Sequence, residues 1–308
     1  MWFKQVQLFD VSHSVSSYSA EKLIEKLQAL AFKPCLPSLP SSAGWVPPAD
    51  EEGASLVRII NACCMICLQI EEKILPATVI RQALAEKIKQ IELAEDRKVY
   101  QKEKLALKDE IILTLLPRAF TKTTRIYAYL DTKNNWLLLG TSNQKKTEQF
   151  ISLFKKTITE DIYPLEIEKI SPALTQWLQH KNFPSSFNIE KACVLQDPRQ
   201  QTRIIRVQQQ DLFAKAIQAL IKDGCEIKQL ALSWQDRVNF VLAHDFSLSG
   251  IKFNDAILAE ANDLEPETKQ QRINADFLMM TASFSQLLKE LLSFFVKSKA
   301  RIPELAEV

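Results

Sequence analysis

From Thr78 to Leu116 the chain runs for 39 residues without a glycine or a proline. A stretch that long without either turn former is helical, and Ile80, Leu84, Ile88 and Ile91 recur in it at spacings of four, four and three. Those spacings place the four side chains on one face of an amphipathic helix. A highly charged segment follows, then a second apolar set, Leu105, Ile111, Ile112, Leu115 and Leu116. The pattern predicts two helices, or one long bent helix, projecting from the rest of the fold as a basic arm. Between Lys73 and Arg125 there are twelve Lys or Arg against seven Asp or Glu, a local +5 in a chain whose net charge is only +2.

The flanking sequence reads as strands mixed with helices. Phe3 to Val11 alternates loosely like a strand, and Ser19 is an N-cap, with Glu21 in the first turn, for a helix reaching Ala31. Pro34 to Asp50 is rich in Pro and Ser and reads as a loop; Ser55 to Gln69 reads as one long strand or two paired ones, closed by Pro76. Beyond the arm, Arg125 to Leu130 and Trp136 to Gly140 flank the turn signal Asp131 to Asn135, which predicts a hairpin followed by a helix at about Gln144 to Thr157. Phe187 to Leu195 and Arg203 to Gln208 read as strands, and Leu212 to Lys222 as a helix ended by Gly224. Ile227 to Trp234 and Val238 to His244 form a tight hairpin across Gln235 and Asp236, with Leu248 to Phe253 as a third strand. The last helix, Thr268 to Lys297, carries Phe277, Met280, Phe284, Leu288, Leu291 and Phe295 on one face. Without regular βαβ alternation the class is α+β. The expected regions are 1–76 (strand-helix-strand), 77–120 (basic helical arm and tip), 121–182 (hairpin-helix-strand) and 183–308 (a second α+β region with the C-terminal helix).

Several function classes drop out. An apolar fraction of 46% with 25% charged residues describes a globular chain with a sizeable core. Its five glycines are too dispersed for a P-loop or a dinucleotide fingerprint, and His13, His180 and His244 stand far apart, so no cofactor is expected. The N-terminus lacks the pattern of a signal peptide, and the apolar run Phe277 to Val296 is broken by Gln286, Lys289 and Glu290. A cytoplasmic protein away from the membrane is therefore expected. Cys64 and Cys67 form a lone C-x2-C beside Cys63 with no second pair, which reads as small apolar residues on a buried strand and not as a zinc site.

The adjacent acids Glu71-Glu72 and Asp109-Glu110 are the best candidates for the oxygen ligands of a metal-dependent nuclease. Neighbouring residues on a helix point in different directions, so Asp109-Glu110 reads more simply as a solvated face paired with Lys102, Lys104 and Lys108. The remaining signal is the set of cations Arg81, Lys87, Lys89, Arg97, Lys98, Lys102, Lys104 and Lys108, followed by Arg118, Lys122 and Arg125. Many separated cations displace the counterions condensed on DNA without any base-reading geometry. The plainer reading is an ordinary charged helix surface.

Five blocks, Gly44-Trp-Val-Pro-Pro48, Glu71-Glu-Lys-Ile-Leu-Pro76, Leu107-Lys-Asp-Glu110 leading to Leu115-Leu-Pro-Arg-Ala-Phe120, Leu230-Ala-Leu-Ser-Trp-Gln-Asp-Arg237 and Ala275-Asp-Phe-Leu-Met-Met-Thr281, together resemble the RdgC family, in order and over the whole chain. The resemblance implies a nucleoid-associated, non-catalytic bacterial protein that binds duplex DNA, and single strands more weakly, and restrains RecA-mediated recombination. It implies a horseshoe-like subunit of mixed sheets and helices, two of which join at both ends into a ring-shaped homodimer around the DNA. A metal-dependent nuclease, or a regulator that binds RecA directly, is the alternative. Of the family's DNA-binding or ring-closing positions, Arg97 and Phe120 match. The family's Lys-Gln pair before Asp-Leu falls where this chain reads Arg206-Val-Gln-Gln-Gln210-Asp-Leu212, so Gln210 matches and Gln209 replaces a lysine. That departure removes a phosphate contact or shifts it to Arg206.

Overall fold

The computed structural model describes residues 2–49, 53–167, 170–262 and 268–295. Seven strands form the first sheet: β1 (Gln7–Val11), β2 (Ser41–Val46), β3 (Arg58–Ile60), β4 (Cys63–Lys73), β5 (Thr121–Asp131), β6 (Trp136–Leu139) and β7 (Ile162–Pro164). Their order is β2-β4-β5-β6-β1-β7 with β3 against β4, and every pairing is antiparallel. The stretch expected to be a Pro- and Ser-rich loop thus contains an edge strand, β2, because Ser41 to Val46 pairs residue for residue with Glu72 to Cys67. Local composition there was outweighed by the tertiary ladder. Cys63, Cys64 and Cys67 are buried on β4 as the sequence suggests. Burial pushes the Cys63 thiol up to about 12 and that of Cys64 to about 11, so both pack as small apolar groups.

One face of this sheet is covered by α2 (Ala20–Ala29), which follows the single turn α1 (His13–Ser16), and by α5 (Gln144–Ile158). Their Leu23, Leu27, Phe150 and Phe154 meet Trp45, Ile66, Leu68 and Leu130 in one core. Ser19 caps α2 by accepting a hydrogen bond from the Lys22 N–H, as read from the sequence.

The second sheet contains β8 (Phe187–Asp197), β9 (Gln200–Gln208), β10 (Glu226–Trp234), β11 (Val238–Ala243) and β12 (Leu248–Phe253), in the order β12-β11-β10-β8-β9. Gln235 and Asp236 both take left-handed backbone angles, φ 50° and 52°, the geometry that a two-residue hairpin needs to match strand twist. With α6 (Ile170–His180), α7 (Lys215–Lys222), α8 (Asp255–Asn262) and α9 (Lys269–Phe295), this sheet builds a second core that extends to Met65, Tyr129 and Leu138 of the first sheet. Phe277, Met280, Phe284, Leu288, Leu291 and Phe295 of α9 are all buried in it. Trp234 fastens α9 to the sheet by donating its indole N–H to Glu290 Oε2 at 2.6 Å.

An ion network closes the β8–β9 turn onto α7. Arg199 holds the buried carboxylate of Asp197 through Nε–H and its own backbone N–H, both at 3.0 Å, and also donates to the Asp223 carbonyl at 2.7 Å. Arg203 adds a contact to Asp197 at 3.4 Å. The Arg199 hydrogen bonds hold Asp197 down at about 2, below the value of about 4 expected in the unfolded chain. A depressed folded value stabilises above the unfolded one and is lost as pH falls through the folded one. Stability should therefore fall between about pH 4 and 2, and Asp197→Asn should flatten that acid limb in pH-dependent denaturation. An acid limb unchanged by the substitution would contradict the assignment.

Candidate nucleic-acid interface

The glycine-free stretch forms two helices, α3 (Ala77–Glu95) and α4 (Gln101–Leu115), folded back on each other across a short turn. Pro76 precedes the first, and a 3₁₀ turn at Leu116–Arg118 containing Pro117 ends the second. No side chain within either helix is buried. Leu93 is 75% exposed and Tyr100 76%, with Leu105 and Leu113 also uncovered, far more apolar surface than a two-helix hairpin can satisfy alone.

The helix bounds divide the cations between the arm and its root. From Ala77 to Leu116 there are eight Lys or Arg against seven Asp or Glu, so the helices are nearly neutral. The local excess is at the root, in Lys73, Arg118, Lys122 and Arg125. Arg81, Lys87, Lys89, Lys98, Lys102 and Lys108 are exposed along the arm, and Lys104 is half-buried. Arg81 turns inward to its own helix, donating from Nε to the Ala77 carbonyl at 3.3 Å. Arg97 is tied within the chain, its NH1 and NH2 donating to the two Glu103 oxygens at 2.8 and 2.7 Å and its Nε to Glu95 at 2.5 Å. Its hydrogen bonds to the Glu103 and then the Glu95 carboxylates raise its pKa further, so it stays a cation. Sequence reading missed this clamp, because the pairs lie two and six residues apart across a turn and follow no helical spacing.

At the root, the Phe120 ring is 85% exposed. Its backbone is fixed: the Ile74 N–H donates to the Phe120 carbonyl at 2.7 Å, and Thr121 pairs with Lys73 at the start of the β4–β5 ladder. The aromatic therefore projects from a rigid strand end and is not a core plug. Arg118 and Lys122 flank it, exposed, and Arg125 donates to Gln69 Oε1 at 3.0 Å.

Arg206, Gln209 and Gln210 lie far from the arm in sequence, at the end of β9, and all three are exposed. Gln209 adopts a left-handed φ of 54°, and the Gln210 N–H donates to the Lys191 carbonyl at 3.3 Å, which closes the turn against β8. A lysine at 209 would have the same exposure and the same backbone cost; if the chain binds duplex DNA through this turn, Gln209→Lys should tighten that binding severalfold at low salt, where screening is weakest. Equal or weaker binding in a gel-shift titration would mean that this turn faces away from DNA.

The acid pairs do not converge. Glu71 accepts the Cys35 N–H at 2.7 Å while Glu72 meets Lys145 at 3.4 Å, as expected for neighbours on opposite faces of a strand. Asp109 and Glu110 are exposed on α4, and neither forms an ion pair with the nearby lysines among the described residues. Among those residues no group of three His, Cys, Asp or Glu side chains is arranged to hold a metal ion, and no helix is long and apolar enough to cross a membrane.

A family model described as "Putative exonuclease, RdgC" matches residues 1–298. The recombination-associated protein RdgC of Yersinia enterocolitica is 35% identical over 294 residues, spanning 95% of this chain and 97% of that protein. Those of Yersinia pestis and Yersinia pseudotuberculosis are 34% identical with the same coverage.

Proposed function

Because the chain belongs to the RdgC family, we propose that it is a non-catalytic DNA-binding protein that closes into a ring-shaped homodimer around duplex DNA and so restrains RecA-mediated recombination. The observation that carries this reading is Phe120, an aromatic held 85% exposed on a rigid strand end among the cations of the arm root. A large apolar ring so placed favours an interface, and the uncovered Leu93, Tyr100, Leu105 and Leu113 favour a partner along the arm as well. A second subunit brings the same groups by symmetry.

Lys87, Lys89, Lys98, Lys102, Arg118, Lys122 and Arg206 present exposed charge for phosphate contacts, with Gln209 and Gln210 as polar contacts at the β9 turn. Contacts of this kind bind duplex with little sequence preference and release it steeply with salt. A protein enclosing the duplex obstructs a recombinase filament without touching the recombinase. On this reading the protein acts at the bacterial nucleoid in the cytoplasm, with RecA as a functional antagonist.

The test is a gel-shift titration on linear and circular duplexes at several salt concentrations, repeated with labelled DNA and Mg²⁺ or Mn²⁺. The reading requires retarded, intact DNA. Shortened DNA would favour the nuclease described by the family model, and RecA captured in the absence of DNA would favour direct regulation.

A further inference from the structure

The turn joining the two arm helices is more tightly determined than the helices themselves. Asp96 ends α3 in a left-handed conformation with φ 46°, and the Val99 N–H donates to Glu92 Oε1 at 3.1 Å. Val99 is only 5% exposed, the one buried side chain from Ala77 to Leu115. Arg97 spans the turn, joining Glu95 in the last turn of α3 to Glu103 in the first turn of α4. Its paired contact to both Glu103 oxygens uses the planar fork that only a guanidinium offers.

We propose that Arg97 is a positioning residue that bolts α3 to α4, so that phosphate contact at the arm tip falls to the neighbouring Lys98 and Lys102, which the clamp holds exposed. The proposal rests on the DNA-binding reading. It follows from how the charge is used: three Arg97 N–H groups already face carboxylates, and a phosphate could take them only by breaking those bonds. Among the described cations from Ala77 to Leu115 Arg97 is the only one in an ion pair, while Lys98 in the turn and Lys102 at the start of α4 are open to solvent.

Three variants of the full chain test it: Arg97→Lys, Arg97→Glu, and the double exchange Arg97→Glu with Glu103→Arg, which leaves net charge unchanged. Amide hydrogen exchange over residues 96–104 reports the turn, and duplex titration against salt reports DNA. Arg97→Lys keeps the charge but loses the forked contact to both Glu103 oxygens, so exchange should quicken and affinity fall by about threefold or more with an unaltered salt slope. The double exchange should bring both readouts most of the way from Arg97→Glu back to the parent, because the pair with position 103 is rebuilt in reverse while Glu95 is left without its partner. A double exchange that restores amide protection yet binds DNA as weakly as Arg97→Glu, with the slope reduced by about 0.9, would show that Arg97 itself meets a phosphate and would overturn the proposal. So would unchanged exchange and affinity in Arg97→Lys. If the parent protein fails to bind DNA, the functional reading falls, and exchange alone still decides whether the clamp exists.

Discussion

Alanine at Gly44 should cost the chain about 3 kcal/mol or more of folding stability, a large fraction of what a domain has. A Cβ there would press against the Phe32 backbone, with Phe32 N at 2.6 Å and the Ala31 carbonyl carbon at 2.8 Å as well as Phe32 Cα. Backbone cannot rotate away as a side-chain tip can. The segment is also fastened to β2, since the Phe32 N–H donates to the Trp45 carbonyl at 2.9 Å and the Trp45 N–H to the Leu30 carbonyl at 3.0 Å. Any displacement drags Trp45, which is 1% exposed, donates its indole N–H to Thr157 at 2.8 Å and meets Phe150 edge-on at 5.3 Å. Gly53→Ala is the control. Nothing lies within 4 Å of a Cβ there, so only its left-handed φ of 73° is penalised, at about 1 kcal/mol. Urea melts of both variants decide the matter; Gly44→Ala unfolding within about 1 kcal/mol of the parent would contradict the packing described.

Phe120→Ala should have the opposite signature: little change in the subunit and a large change in its assembly. A ring that is 85% exposed contributes almost nothing to the core, and surface substitutions of that kind fall within about 0.5 kcal/mol. If the ring inserts into the partner subunit, its removal should weaken that contact by about 2 kcal/mol or more, roughly thirtyfold in dissociation constant. The variant should melt with the parent, keep the other dimer contact and still bind linear duplex, yet slip from closed circles on salt challenge. A sharply lowered melting temperature with undiminished retention on circles would remove Phe120 from ring closure.

The elements that could be read from the sequence are those whose signal is local. The absence of Gly and Pro from Thr78 to Leu116 marks both arm helices, Ser19 marks the start of α2, and the spacing from Phe277 to Phe295 marks the buried face of α9. β2 was hidden because its strand character comes from pairing with β4, which no composition of Ser, Ala and Gly announces. Charge was harder still. The count from Lys73 to Arg125 gives a basic arm, but the bounds of the two helices leave the excess outside them at the root, beside Phe120, and the turn spends Arg97 on Glu95 and Glu103. The joining of Gln210 to Lys191, on a strand nearly twenty residues earlier, likewise required the β8–β9 ladder to be seen.

Encirclement of duplex DNA is the central claim, and topology tests it more directly than affinity. The protein is loaded at low salt on a covalently closed circle, washed at a salt concentration that strips phosphate-bound protein from linear duplex, and the circle is then cut once by a restriction enzyme. A closed ring should survive the wash on the circle and leave as soon as an end is made, because only ends allow it to slide off. Protein lost at the same salt from circular and linear DNA, or still bound after the cut, would show that it grips the surface of the duplex and does not enclose it.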